Sequence, residues 1–129
     1  MRYVGIDYGT KQVGIAVSDA DGGFAFPRET LPNDARLIGG LCDLAQKEGA
    51  GAFVVGDTRS LSGQENPVTA ASDAFADRLG AESGVPVHRM REAWSSAEAM
   101  RFAPPGKRHD DAAAAAIILQ RFLDTRPAV

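Results

Sequence analysis

The chain has 129 residues, of which 44% are hydrophobic and 24% are charged, and its net charge is −3. These values are typical of a globular protein and exclude a collagen-like or intrinsically disordered chain; the length predicts a single domain over residues 1–129. The one cysteine, Cys42, excludes an internal disulfide, and no stretch approaches the roughly 18 apolar residues of a membrane span, so we expect a cytoplasmic protein.

Two apolar runs at the start of the chain predict a β-hairpin. They cover Arg2–Asp7 and Val13–Ser18, and Gly9 and Gly14 frame the turn between them. Asp7 ends the first strand, where a lone buried carboxylate is costly. Either several backbone N–H groups or a divalent cation must stabilise it, and this segment by itself leaves both interpretations open.

The rest of the chain alternates extended and helical patterns. Asp21-Gly22-Gly23 predicts a tight turn, Asn33 or Asp34 is suited to cap the next helix, and Pro67 suits the first position of the helix after it. The predicted elements are a strand over Phe24–Thr30, a helix with Leu37 to Ala45 on its apolar face that ends near Gly49, a strand over Ala52–Val55, a helix from Pro67 to before Gly84, a strand over Val85–Met90, a short helix after Ser95 and Ser96, and a helix over Ala112–Leu123.

This order predicts one mixed sheet. Helical crossovers place strands 1, 4 and 5 side by side and parallel, and strands 2 and 3 extend the sheet beyond strand 1. Sites in α/β folds lie at the carboxyl ends of parallel strands, so we expect Asp7, Asp57 and Glu92 to approach one another there, with Asp111 brought in by the last helix. Carboxylates from strand 1, strand 5 and the final helix are typical of a two-metal site that holds a phosphodiester.

Several segments resemble one protein family over nearly the whole chain. They are Gly5-Ile-Asp7-Tyr-Gly9-Thr10-Lys11, Gly14-Ile-Ala-Val-Ser-Asp19, Val54-Val-Gly56 before a loop with Gly63, Glu92 followed by Ser95-Ser96-Ala-Glu98-Ala99, and Asp111 followed by Ile118-Leu119-Gln120. With these segments the chain resembles the YqgF-type proteins, described as Holliday junction resolvases and as nucleases that mature the small-subunit ribosomal RNA precursor.

The resemblance implies a fold, a reaction and a set of ligands. The implied fold is α/β and RNase H-like, a five-stranded mixed sheet of three antiparallel strands and then two parallel strands, flanked by helices. The implied activity is that of a metal-dependent endonuclease for structured nucleic acid, with Mg²⁺ or Mn²⁺ as cofactor. By the family pattern Asp7, Glu92 and Asp111 are the catalytic, metal-binding acids. Asp111 is preferred to Asp110 because it lies nine positions before Gln120, the family's spacing.

Four basic residues are candidates for contacts with nucleic-acid phosphates: Lys11, Arg59, Lys107 and Arg108. The isoelectric point of about 5.3 weakens the hypothesis of nucleic-acid binding without excluding it. Binding of structured RNA or branched DNA then requires a local basic rim. Simple solvation of these side chains is the alternative, and it stays open. We expect no membrane partner, and either a monomer or a homodimer, because four-way junctions have two-fold symmetry.

Two departures from the family pattern support a competing hypothesis. Where the family usually has Asp-Glu-Arg, this chain has Arg91-Glu92-Ala93, and the loop Asp57–Asn66 lacks the family's commoner proline-containing form. The competing hypothesis is a catalytically silent RNase H-like module that binds RNA or a protein. An actin-like phosphate-binding fold opens with a similar Asp-x-Gly-Thr turn, but it needs a second lobe, for which 129 residues leave no room.

Overall fold

The computed structural model describes residues 1–57, 68–91 and 111–125. Within these ranges it contains five strands and three helices. The strands are β1 (Arg2–Asp7), β2 (Gln12–Ser18), β3 (Ala25–Pro32), β4 (Ala50–Asp57) and β5 (Val87–Arg91). The helices are α1 (Leu37–Glu48), α2 (Thr69–Ser83) and α3 (Asp111–Thr125).

The strands form one mixed sheet in the order β3-β2-β1-β4-β5. The β1–β2 and β2–β3 pairs are antiparallel, and the β1–β4 and β4–β5 pairs are parallel. The predicted strand order and directions are therefore confirmed. β1 and β4 read as continuous apolar runs because central strands with helices on both faces have no solvent-facing side.

The helices divide between the two faces of the sheet. α1 and α2 cover one face, named here the two-helix face, and its cluster contains large side chains such as Ile6, Phe53 and Leu41. α3 covers the other, the one-helix face, where Ala16 and Ala52 pack among the helix side chains. Side chains alternate along a strand, so successive residues of β1 and β4 belong to different clusters.

The start of α1 differs from the prediction. Neither Asn33 nor Asp34 is its N-cap; Arg36 takes that position without a side-chain capping bond. The Asp34 carboxylate instead accepts a hydrogen bond of 2.9 Å from the Arg36 backbone N–H. The predicted ends of α1 and α2 are confirmed at Gly49 (φ 65°) and Gly84 (φ 73°), since the left-handed conformation after a helix favours glycine.

The cysteine and the helices of the described ranges bear on the remaining points of the sequence. Cys42 is half-buried against the two-helix core. Burial raises the pKa of its thiol, and Glu82 and Asp43 add to the shift. A raised pKa keeps the thiol protonated, which is typical of a structural cysteine and not of a nucleophile. None of the helices in the described ranges is long and apolar enough to cross a membrane. The short helix predicted after Ser95 lies outside those ranges.

Candidate active site

Asp7 lies at the carboxyl end of β1, half-buried, on the one-helix face. Tyr3 packs against α3 in the one-helix cluster, and a Cβ built on Gly5 would lie 2.7 Å from Leu119 Cβ. Alternation along the strand then directs Asp7, two residues further on, to the same side. The Asp7 carboxylate thus lies on the one-helix face, at the edge of the sheet where β1 ends.

The first turn of α3 lies directly on β2 beside this carboxylate. Gly14 is the register partner of Asp7, and a Cβ built on Gly14 would overlap the backbone carbonyl group of Asp111. Only a residue without a side chain permits this approach, because the clash would be with backbone rather than with a mobile side-chain tip. Gly14 lies within β2, as the predicted strand Val13–Ser18 implies, close to the turn that it was expected to frame. Its small size also seats the helix, which was not predicted.

α3 runs back along β1 in the opposite direction. Its beginning lies at Gly14, its middle at Gly5, and near its end the Phe122 ring meets the Tyr3 ring at a centroid distance of 5.6 Å. The helix therefore starts at the edge of the sheet where β1 ends. Asp7 and Asp111, two of the three predicted metal ligands, are brought to the same face and the same edge.

The third predicted ligand, Glu92, lies outside the described residues, as do Arg59, Lys107 and Arg108. The last described residue of β5, Arg91, pairs with Asp57 of the parallel strand β4. β5 thus ends at the edge where β1 and β4 end. In the ranges that the structure describes, no group of three or more acidic, histidine or cysteine side chains could hold a metal ion.

Asp57 does not join Asp7 and Asp111. Val55 packs in the two-helix cluster and Val54 in the one-helix cluster. Alternation therefore directs Asp57 to the two-helix face, opposite Asp7. Asp57 lies at the same edge of the sheet as the other acids, as expected. The expectation that it approaches them is wrong, because it lies on the opposite face.

The turn after Asp7 is fixed by a residue for which a different role was predicted. The Asn33 side-chain amide donates a 2.8 Å hydrogen bond to the Gly9 carbonyl, and its backbone N–H donates one of 2.9 Å to the Lys11 carbonyl. Asn33 thereby fixes the turn that presents the exposed Lys11 near Asp7. The sequence carries a clue to this role, since the β2–β3 register pairs Gln12 with Pro32 and so brings Asn33 beside the turn.

Arg89, which is partly buried, holds the end of β4 by hydrogen bonds on the two-helix face. The Arg89 guanidinium donates hydrogen bonds of 3.1 Å to the Gly56 carbonyl and 3.0 Å to the Ser72 hydroxyl. It also lies 3.4 Å from the Asp73 carboxylate. This network ties β5, α2 and the end of β4 together, and charge-assisted bonds of this kind are stronger than neutral ones. Nothing in the sequence pattern around Arg89 indicated it.

Comparisons with known proteins indicate the family of this chain. The model of the family "RuvX: Holliday junction resolvase" matches residues 1–125. A protein of Nitratidesulfovibrio vulgaris (strain DSM 19637 / Miyazaki F) named "Putative pre-16S rRNA nuclease" is 41% identical over 101 residues, covering 77% of this chain and 71% of the relative. A protein of the same name from Nocardioides sp. is 42% identical, covering 97% of this chain and 88% of the relative.

Solved structures show the same fold. The chain of Thermus thermophilus RuvC superimposes with a TM-score of 0.62 at 17% identity, covering 95% of this chain and 94% of that chain. RuvC from T. thermophilus in complex with a Holliday junction substrate gives 0.61 at 18% identity, with the same coverage. The predicted RNase H-like fold is confirmed by these structures. The predicted enzyme class, a hydrolase of phosphodiester bonds, is confirmed by the family model and the curated relatives. The chain belongs to the RuvX Holliday junction resolvase family.

Proposed function

We propose that this chain is a divalent-metal-dependent endonuclease whose metal ligands are Asp7, Asp111 and Glu92. The observation that carries the proposal is the contact between Gly14 and the first turn of α3, which brings two carboxylates from distant parts of the sequence to one edge. Carboxylate oxygens are the ligands that Mg²⁺ and Mn²⁺ prefer. The donor set therefore fits such a cation.

Each described acid has a distinct physical setting. Asp7 is the last residue of β1, whose inner residues are buried, so its backbone is held rigidly. Asp111 occupies the first turn of α3, where the positive end of the helix dipole stabilises its carboxylate. Neighbouring carboxylates repel each other, and a bound divalent cation would relieve that repulsion. When bound, such a cation polarises the phosphodiester and makes water more acidic.

The substrate that we favour is a ribosomal RNA precursor. Relatives with 41% and 42% identity are named for pre-16S rRNA, whereas the structure with a bound Holliday junction has 18% identity and supports the fold alone. A four-way DNA junction is the second candidate, because the family model is described by that activity. We propose that Lys11, with Arg59, Lys107 and Arg108, contacts the phosphates of either substrate.

A catalytically silent binding module remains the alternative, and the departures Arg91 and Ala93 favour it. Arg91 adds a cation directly before Glu92, and a neighbouring positive charge competes electrostatically with a metal ion. The cytoplasmic location and a monomeric or homodimeric state stay predictions.

The test replaces Asp7 with asparagine, which keeps the shape and removes the charge. Wild type should gain thermal stability with Mn²⁺ and should cleave a 16S precursor transcript. Asp7→Asn should gain little stability with Mn²⁺, and its cleavage rate should fall by a factor on the order of 100 or more. Without metal, Asp7→Asn should melt at or above the wild-type temperature, because one repelling charge is gone. A four-way DNA junction is assayed in parallel.

The outcomes separate the hypotheses. Equal Mn²⁺ stabilisation of wild type and Asp7→Asn would exclude Asp7 as a ligand. Binding of either nucleic acid without cleavage at any Mn²⁺ concentration would favour the silent module. Cleavage of the junction but not of the transcript would reverse our choice of substrate.

A further inference from the structure

The side chain of Gln120 ties α3 to the hairpin formed by β2 and β3. Its Oε1 accepts a hydrogen bond of 2.9 Å from the Ala25 backbone N–H, and its Nε2 donates one of 3.0 Å to the Gly23 carbonyl. The same Nε2 donates to the Asp124 carboxylate one turn further along the helix, also at 3.0 Å. One amide group therefore uses both its acceptor and its donors to fix the helix against the hairpin.

The hairpin is itself a fixed anchor. The Asp19 carboxylate accepts hydrogen bonds from the backbone N–H groups of Gly23 at 2.8 Å and Phe24 at 3.1 Å. Gly22 adopts a positive φ of 71°, and the N-terminal ammonium donates to the Ala20 carbonyl at 2.8 Å. Gln120 is therefore bound to a turn whose backbone is held independently of α3.

The nine-residue spacing places Asp111 and Gln120 on opposite flanks of the helix. An α-helix turns by about 100° per residue, so nine residues amount to two full turns and about half a turn more. Since Gln120 contacts the β2–β3 side of the sheet, Asp111 lies on the flank that faces away from β3. In the strand order that flank faces β1, which carries Asp7.

An aromatic side chain checks this rotation independently. Phe122 lies about 20° from Asp111 around the helix axis at about 100° per residue. Its ring stacks on His88 of β5 at a centroid distance of 5.1 Å and meets Tyr3 of β1 at 5.6 Å. The flank that Asp111 shares with Phe122 is thus the side of β1 and β5.

We infer that Gln120 is a positioning residue that sets the rotation of α3 about its axis and thereby aims Asp111 at Asp7. Gly14 sets how closely the helix approaches the sheet, whereas Gln120 sets which way the helix faces. An amide suits this role, because it can accept from Ala25 and donate to Gly23 at once. The expected effect of Gln120 on metal binding rests on the proposed function. Its expected effect on the orientation of α3 does not.

The experiment compares three variants with wild type. Gln120→Met keeps the length of the side chain and removes all of its hydrogen bonds. Gln120→Glu keeps the acceptor for Ala25, but it loses the donor to Gly23 and to Asp124 and places a second carboxylate beside Asp124. Glu48→Gln is the control: it removes the charge that pairs with Arg2 at 3.5 Å and Arg28 at 2.7 Å, and so weakens contacts that do not involve α3.

Two quantities are measured for each protein. One is the Mn²⁺ concentration that gives half of the maximal thermal stabilisation. The other, recorded without metal, is the nuclear Overhauser effect between the Gly14 α-protons and the Ala112 amide proton, which reports the seating of the first turn of α3. A purely structural role for Gln120 would lower the melting temperature and leave both quantities unchanged.

Gln120→Met should raise the half-maximal Mn²⁺ concentration by about tenfold or more and weaken the Overhauser effect. Gln120→Glu should shift both in the same direction, and Glu48→Gln should change neither. A melting-temperature loss in Gln120→Met with both quantities at wild-type values would overturn the inference. If wild type itself shows no Mn²⁺ stabilisation, the proposed metal site fails, and the Overhauser effect decides on Gln120: weakening supports its positioning role, and no change overturns it.

Discussion

The two faces of the sheet are built from side chains of different size. On the two-helix face, fully buried large residues such as Ile15, Leu41 and Leu79 fill the space between the sheet and its helices. On the one-helix face, Gly5 and Gly14 let the backbone of α3 approach the strands so closely that an added methyl group would collide with the helix. Both faces are well packed, but on the one-helix face there is no room for any side chain at Gly5 and Gly14.

This difference indicates a division of tasks. Burial of large apolar side chains contributes most of the stability, and such a core tolerates small shifts of its helices. A metal site needs carboxylates held within a fraction of an ångström, and such precision is best provided by rigid elements in direct contact. The two-helix face therefore stabilises the fold, and the one-helix face aligns the proposed site.

Truncation in the two-helix core should cost the most free energy. Leu41 is completely buried in α1, so Leu41→Ala leaves a cavity and should lower the free energy of unfolding by about 2–5 kcal/mol. Denaturant titration measures this loss. In the fraction that stays folded, the half-maximal Mn²⁺ concentration should equal that of wild type; a large shift would mean that the two faces are not separate in function.

Addition of one methyl group on the other face should cost less stability and more function. Gly14→Ala would overlap the Asp111 carbonyl, so α3 must move; we expect a loss of about 1–3 kcal/mol and a rise of roughly 10–100-fold in the half-maximal Mn²⁺ concentration. The measurements are denaturant titration and thermal melting with Mn²⁺.

The matched control makes the same change in α1. A Cβ at Gly40 meets no atom within 4 Å, so Gly40→Ala should stabilise the helix by about 0.5–1 kcal/mol without changing the response to Mn²⁺. If Gly14→Ala behaves like Gly40→Ala, the contact between Gly14 and α3 does not position the site.

The smallest effect on stability is expected from removal of the Asp19 charge in the hairpin that anchors α3. Hydrogen bonds from the backbone N–H groups of Phe24 and Gly23 lower the pKa of Asp19 below its ordinary value of 3.8. A carboxyl group whose pKa is lower when folded stabilises the protein above its unfolded pKa, and this contribution disappears as the pH falls through its folded pKa.

Melting temperatures between pH 7 and pH 2 test this expectation. Wild type should melt slightly above Asp19→Asn at neutral pH, and the difference should close below pH 3.8. Asp21→Asn, in the same turn, serves as the control, because it removes an equal charge from a residue other than Asp19, whose carboxylate accepts from Phe24 and Gly23. A difference that persists at pH 2 would mean that the Asp19 carboxylate charge is not what fixes the hairpin.

Much of the fold was predictable because its determinants are local. Continuous apolar runs predicted β1 and β4 as central strands, and Asp-Gly-Gly predicted the β2–β3 turn. Gly49 and Gly84 predicted the ends of two helices through their left-handed conformation. The strand order followed from the connections, since helical crossovers restrict how parallel strands can be arranged.

The errors occurred where a residue's role depends on chain that is distant in sequence. Gly14 was predicted at the start of the second strand as a frame of the turn, but its size matters because α3, almost a hundred residues later, lies on it. Asn33 was assigned to a helix cap, but it holds the turn after Asp7. Asp57 was grouped with Asp7, although one step along a strand moves a side chain to the opposite face.

The sequence by itself determined which acids were candidates, which elements carry them and to which family the chain is similar, because periodicity, turn chemistry and motif spacing are written along the chain. Only the tertiary structure decided that Asp7 and Asp111 share a face while Asp57 does not, and that Gly14 and Gln120 control their approach. Faces and rotations follow from strand register and helix packing, which depend on contacts between segments that the linear order does not specify.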